Sequence, residues 1–259
     1  MLTPLRRNIT NRDTAMDNSI YVTLSRQLAL FREMDVTAGN LANANTTGYS
    51  ADHVLFNSYL TKDVNQGNAN DLAFADDVAT YRDLQGGPAV VTGNPLDVAL
   101  KGNGFFMIQT PLGVRYTRAG NFQVDGDGQL ITADGNLVLD NGGQPIVIPE
   151  EAQKIEIGGA GNIKVDDTEL ATFGVVRFEN ERVLRKLNGS LYASDADGIP
   201  ADDGSVQVAQ GMLEGANVQP VLEMTRMIDI SRSVTNSAKF IEVIYDLQMK
   251  ASNTFAKQA

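Results

Sequence analysis

Residue types that do chemistry are thinly spread in this 259-residue chain. It has one His and no Cys. Thiol nucleophiles, disulfides and Cys-based metal sites are therefore excluded, and His53 alone cannot build an imidazole zinc site. Asp125-Gly126-Asp127-Gly128 opens like a calcium loop. It lacks the further oxygen ligands and the twelfth-position Glu of an EF-hand, and Asp-Gly is a strong hairpin-turn signal. Gly102-Asn103-Gly104 and Gly158-Gly159-Ala160-Gly161-Asn162 are glycine-rich, but each leads into a strand-like run. Neither supplies the helix N-terminus that would hold a phosphate. Asp166-Asp167 and Asp202-Asp203 read as solvated turns, and with His53 outside the turn-rich middle no Ser-His-Asp triad is expected. The expectation is a non-enzyme with no catalytic residue, metal or cofactor. A net charge of −11 argues against nucleic acid and anionic lipid as partners. No apolar run approaches the ~20 residues of a membrane span.

What remains is amide chemistry. Gly39-Asn40-Leu41-Ala42-Asn43-Ala44-Asn45-Thr46-Thr47-Gly48-Tyr49 is dense in Asn and Thr. Asn side chains both donate and accept, and they tolerate left-handed backbone, as does Gly48 after a helix end. Two readings stay open: a helix exit with a polar turn, or a contact surface holding packed subunits in register.

The elements around this stretch are read from punctuation. Between Gly86 and Gly215 lie 21 of the 24 Gly and 6 of the 8 Pro. Outside that span the chain is nearly free of breakers. From Asn18 to Asn43 the residues Ile20, Leu24, Gln27, Phe31, Met34, Ala38 and Leu41 recur at alternating spacings of 4 and 3, the seam of a coiled coil. Asp17 or Asn18 suits its N-cap, and Gly39 is a place for it to bend or end. After Pro220, at a helix N1 position, the same rhythm runs through Met224, Met227, Ser231, Val234, Ala238, Ile241, Tyr245, Gln248, Ser252 and Phe255. Off-seam residues such as Leu28, Ile228, Val243 and Leu247 widen both apolar faces. A helix apolar on more than one stripe needs more than one neighbour.

The middle reads as short strands between turns: 104–109, 114–118, 121–124, 129–132, 137–139, 146–148, 154–157, 162–165 and 171–178. This pattern predicts an all-β domain, sandwich-like or barrel-like. It carries −9 of the net charge. The fold class expected is α+β, with coiled-coil-like, assembly-dependent terminal helices flanking an all-β, turn-rich middle. The expected divisions are a disordered extension at 1–15, an N-terminal arm at 16–50, a connector at 51–85, the β domain at 86–215 and a C-terminal arm at 216–259.

Four ordered blocks resemble the bacterial flagellar rod and hook proteins. Met34-Asp35, Gly39-Asn40-Leu41-Ala42-Asn43 and Thr46-Thr47-Gly48-Tyr49-Ser50 are similar to that family's N-terminal signature, with Gly39 in place of an Asn and Ser50 in place of a basic residue. Thr92–Phe106 resembles the opening of its β domain. Tyr116-Thr117-Arg118-Ala119-Gly120-Asn121-Phe122, continuing to Leu139, resembles its core hairpins. Gln210-Gly211-Met212-Leu213-Glu214-Gly215-Ala216-Asn217-Val218 resembles its lead into the last helix, with Ala216 where Ser is common. The likeness spans about residues 16–250. It implies a structural subunit of the proximal rod, exported through the flagellar type III apparatus without a cleaved signal and polymerising across the periplasm into a torque-transmitting shaft. Its partners would be other rod proteins and copies of itself. The alternatives are a distal rod or hook-type axial subunit, or a non-flagellar secreted structural protein or adhesin. Residues 1–15 hold Arg6, Arg7 and Arg12 without an apolar core, unlike a secretory signal, and Met16 is an alternative start. The expected subunit-interface residues are Ile20, Leu24, Phe31, Met34, Ala38, Asn40, Leu41, Asn43, Thr47, Gly48 and Tyr49 in the first arm. In the second they are Met224, Met227, Val234, Ala238, Ile241, Tyr245 and Phe255.

Overall fold

The computed structural model describes residues 10–61, 72–196, 198–201 and 204–258. The fold is α+β, with a helix at each end and strands between. Helix α1 spans Thr10–Ala42 and α2 spans Pro220–Gln258. α1 starts ahead of the cap expected at Asp17 or Asn18, and so within the stretch read as a disordered extension. It also runs through Gly39 rather than ending there. The reason is the same at both points: no Pro lies between Pro4 and Pro88, and one Gly costs a helix only about 1 kcal/mol. The connector expected at 51–85 contains two long strands, β1 (Asp52–Thr61) and β2 (Leu72–Arg82), paired as a two-stranded sheet.

By mutual contact the chain divides into two units. The first takes in α1 as far as Gly39, β1, β2 up to Tyr81, and α2 from Val221. Within it, His53 lies 5.3 Å from Tyr81, ring to ring. The second unit comprises Asn40–Ala51 and Arg82–Pro220.

The second unit is built from short strands in chain order: β3 (Ala89–Val91), β4 (Val98–Lys101), β5 (Phe105–Thr110), β6 (Gly113–Thr117), β7 (Gln123–Val124), β8 (Leu130–Ile131) and β9 (Leu137–Val138). Then follow β10 (Ile155–Ile157), β11 (Asn162–Val165), β12 (Thr168–Thr172), β13 (Val175–Arg177), β14 (Arg185–Asn188), β15 (Leu191–Ala193), β16 (Ile199–Pro200), β17 (Gln207–Gln210) and β18 (Met212–Glu214). The turns read from sequence close local hairpins. β5 and β6 pair antiparallel across Thr110–Gly113, whose ends Thr110 Oγ1 ties by donating to the Gly113 carbonyl at 2.8 Å. Asp125 Oδ1 accepts from the Asp127 and Gln129 amides, so the calcium-like stretch is the β7–β8 turn. The long run at 171–178 is broken at Phe173-Gly174 into β12 and β13. Ile146–Ile148 makes no named strand; its ties include the single bridge Gln129↔Val147.

β5 organises the largest sheet. One edge pairs with β6, and the other is shared, Phe105–Phe106 with β13 and Ile108–Gln109 with β9. Its Phe106 is fully buried, edge-on to Phe122 at 5.1 Å and to Phe173 at 5.4 Å. Around it lies the main core, with Val98, Ile108, Leu130, Val138, Ile146, Ile163 and Val208. Two long-range pairs close the unit: β17 on β4, and β18 on β3. They bring residues 207–214 back beside residues 89–101.

Candidate assembly site

On α2 the face shielded from solvent follows a strict heptad: Glu223, Met227, Ile230, Val234, Ser237, Ile241 and Ile244 are buried or half-buried. Of the residues expected at the interface, Met227, Val234 and Ile241 lie on this stripe, while Met224, Ala238 and Tyr245 fall one position further round and are exposed. Large apolar side chains flank the stripe on both sides. Leu222, Phe240, Val243 and Leu247 stand on one shoulder, with Met224, Ile228, Tyr245 and Met249 on the other, each about half exposed. On α1, Ala29, Thr37 and Asn40 are buried, whereas Leu24, Leu28 and Phe31 form an exposed row at spacings of 4 and 3. Met34 and Leu41 are half-buried and Ala38 is exposed. Ile20 and Phe255 lie outside the described side chains.

The Asn/Thr stretch is placed differently. α1 ends at Ala42 and the chain turns through Asn43–Gly48. Asn40 is 1 % exposed and its Oδ1 accepts from the Tyr49 hydroxyl at 3.2 Å. Asn43 Oδ1 accepts from Thr46 Oγ1 at 3.1 Å. Gly48 takes the left-handed backbone expected of it, with φ of +67°. A Cβ there would stand 2.5 Å from the Arg118 carbonyl carbon and 2.6 Å from the Ala119 nitrogen, so nothing but Gly fits. Tyr49 is buried beneath Lys186, whose ammonium sits 3.6 Å from the ring centroid and donates to the Ser50 carbonyl at 2.8 Å. The stretch is thus a helix exit folded onto its own unit, with Asn40, Gly48 and Tyr49 buried inside the chain. Asn43 and Thr47 stay half-buried.

Sequence reasoning gave no role to the residues that receive it. Glu214 and Asn217 stand three apart just before α2. The Glu214 carboxylate accepts from Arg118 Nε at 2.9 Å and from the Gly87 amide at 3.0 Å, and its carbonyl accepts from the Gly48 amide at 2.8 Å. Asn217 accepts from the Ala51 amide at 2.7 Å, while its NH2 donates to the Gln85 and Asp83 carbonyls. Its own amide donates to the Tyr49 carbonyl. Arg118 also donates to the Gly102 carbonyl and lies over the Phe105 ring. The available signal was a charged residue inside each of two otherwise uncharged blocks, Arg118 after Tyr116-Thr117 and Glu214 after Gly211-Met212-Leu213.

Near this pair the buried Glu181 has its carboxyl pKa raised. Burial is the main cause, opposed by the Arg118 and Arg82 charges and reinforced by Glu214. The folded state therefore holds the Glu181 proton more tightly than the unfolded chain does. The contribution of Glu181 to stability is fullest below the ordinary carboxyl pKa and is lost as pH rises from there through the raised value. Glu181→Gln is expected to flatten that part of the pH–stability curve, measured by thermal unfolding at pH steps from 4 upward.

Among the described residues no three His, Asp or Glu side chains converge as metal ligands. What the geometry does offer is apolar surface on two long helices and a hydrogen-bonded joint. The comparisons with known proteins fall on the same segments. Residues 20–49 match the family described as "Flagella basal body rod protein", residues 99–165 the "Flagellar hook protein FlgE/F/G D1 domain", and residues 209–254 the "Flagellar basal body rod FlgEFG protein C-terminal". The chain is 35 % identical to the flagellar basal-body rod protein FlgF of Caulobacter vibrioides, over 93 % of its own length and 99 % of that protein's. It is 36 % identical to the FlgF of Mesorhizobium japonicum, over 86 % and 91 %. To the rod protein FlgG of Bacillus subtilis it is 32 % identical, over 87 % and 94 %.

Proposed function

We propose a function that starts from one premise: the chain belongs to the flagellar basal-body rod protein family. It is a structural subunit of the rod in the flagellar basal body, it sits in the proximal rod, and it has no enzymatic role. The observation that carries the mechanism is the pair of apolar shoulders on α2 and the Leu24–Leu28–Phe31 row on α1, left half-exposed by the chain itself. Burying the exposed half of each such side chain is worth about 1 kcal/mol. A subunit that repeats one heterologous contact by rotation and translation builds a helical tube, which buries these rows in every copy. In that tube the two arms, 16–50 and 216–259, pack as coiled-coil-like layers inside. The acidic β domain, 86–215, faces outward, and its charge of −9 keeps that coat solvated.

Two supports come from the sequence. Absence of Cys avoids stray disulfides in the periplasm that the rod crosses. The resemblance of the sequence to rod proteins implies delivery to that compartment through the flagellar type III export apparatus; among the described residues no helix is long and apolar enough to cross a membrane. Interface residues are the accessible members of the expected set: Leu24, Phe31, Ala38, Met224, Ala238 and Tyr245, with half-buried Met34, Leu41, Asn43, Thr47, Met227, Val234 and Ile241 at their margins. Ile20 and Phe255 extend the two seams by sequence spacing. Asn40, Gly48 and Tyr49 contribute by shaping the joint.

Deletion of the coding sequence followed by electron microscopy of isolated basal bodies is the test. Expected are non-swimming cells whose basal bodies lack a complete rod. Swimming cells with intact rods would overturn the reading. The distal rod is the alternative position, and labelling the protein in assembled basal bodies separates the two.

A further inference from the structure

The small apolar cluster of Tyr49, Ala51, Ala216 and Val218, with Ala44 against it, is separate from the main core around Phe106 and from the second cluster around Tyr192. It joins two segments distant in sequence. Three amide bonds cross between the segments: Gly48 to the Glu214 carbonyl, Ala51 to Asn217 Oδ1, and Asn217 to the Tyr49 carbonyl. The Asp83 amide donates to the Ala51 carbonyl and adds a fourth tie. Lys186 closes the outer side through the Tyr49 ring and the Ser50 carbonyl. None of these bonds belongs to a strand ladder, and the cluster contains two Ala and one Val beside its one aromatic ring.

We propose that residues 44–51 form a latch, clasped by Glu214 and Asn217, that opens and closes while the β core stays folded. A segment held by a small cluster and by bonds outside any strand ladder belongs to the low-stability end of a structure, whereas an edge-to-face aromatic core belongs to the high end. Opening uncovers the Tyr49 ring and Ala51 and breaks the Tyr49 hydroxyl's bond to Asn40. The helix exit is thereby freed from its unit. The latch follows from the fold alone and does not depend on the rod reading.

Amide exchange of the full-length purified protein tests it. In the wild type the Gly48, Ala51, Asp83 and Asn217 amides are expected to exchange at least about tenfold faster than the core amides of Met107 and Leu139, and their opening should depend less steeply on added urea. Asn217→Ala leaves the Ala51 amide and two carbonyls without their partner. It should speed exchange at Gly48, Ala51 and Asp83 by a further tenfold or so, with Met107 and Leu139 unmoved. Asn217→Asp keeps the acceptor and loses both donors, and is expected to fall between. The latch is disproved if latch and core amides exchange together in the wild type with one urea dependence, since the unit then opens as a whole. It is equally disproved if both Asn217 variants leave the latch amides unchanged.

Discussion

A chain carrying Ile228→Asp together with Phe240→Asp is expected to keep its β domain folded and to lose swimming altogether. The two positions lie on opposite shoulders of α2, and both side chains are about half exposed in the isolated chain. Exposed substitutions away from special features usually change stability by less than about 0.5 kcal/mol, and Asp in a helix interior adds a propensity cost of up to about 0.7 kcal/mol each. Neither residue belongs to the buried clusters of the second unit. In the proposed polymer the same positions are shielded from water. An unpaired carboxylate is costly there, and the further burial of Ile and Phe, about 1 kcal/mol apiece, is gone as well. The defect recurs in every subunit, so a modest loss per contact stops growth of the tube. Soft-agar motility reads the outcome, and near-ultraviolet circular dichroism of the purified protein checks the fold. Ile228→Leu with Phe240→Leu keeps the surface apolar and should retain swimming. Full motility with both aspartates in place would remove the proposed contact.

The choice of these positions shows what the sequence disclosed. Breaker-free stretches and 4,3 spacing located both helices, because periodicity and punctuation are local properties. The same spacing put the α2 seam through Met224 and Tyr245, whereas the stripe the chain itself covers runs through Glu223, Ile230, Ser237 and Ile244. A Glu and a Ser on the covered face hid it from any count of apolar residues. In the β unit, hairpins closed by Asp-Gly or Pro-Leu-Gly turns were legible. β3 with β18 and β4 with β17 were not, since partners more than a hundred residues apart leave no local mark in either strand. The Asn/Thr stretch was noticed for its composition. Its burial depends on what folds against it, namely Lys186, Glu214 and Asn217, which no spacing connects to Asn40 or Tyr49.

The largest loss of stability is expected from Phe106→Ala. Phe106 is fully buried where β5 hands its second edge from β13 to β9, and its ring is edge-on to both Phe122 and Phe173. Truncating a buried Phe to Ala costs about 3–5 kcal/mol, from lost transfer free energy and the cavity left behind. Here two edge-to-face contacts go as well, each worth about 0.5–1.5 kcal/mol beyond area. Urea unfolding of the full-length protein should show the midpoint for the β unit fall steeply, while Phe106→Leu, nearer in volume, should cost under about 1.5 kcal/mol. The consequence for the latch is one-directional. Lys186, Arg118 and the end of β18 are all held in place by this unit, so weakening its core must also speed exchange at Gly48 and Ala51. Asn217→Ala should speed exchange there and leave Met107 and Leu139 untouched. That asymmetry is expected of a small segment clasped onto a core that does not need it, and symmetric effects of the two substitutions would show that core and latch are one cooperative body.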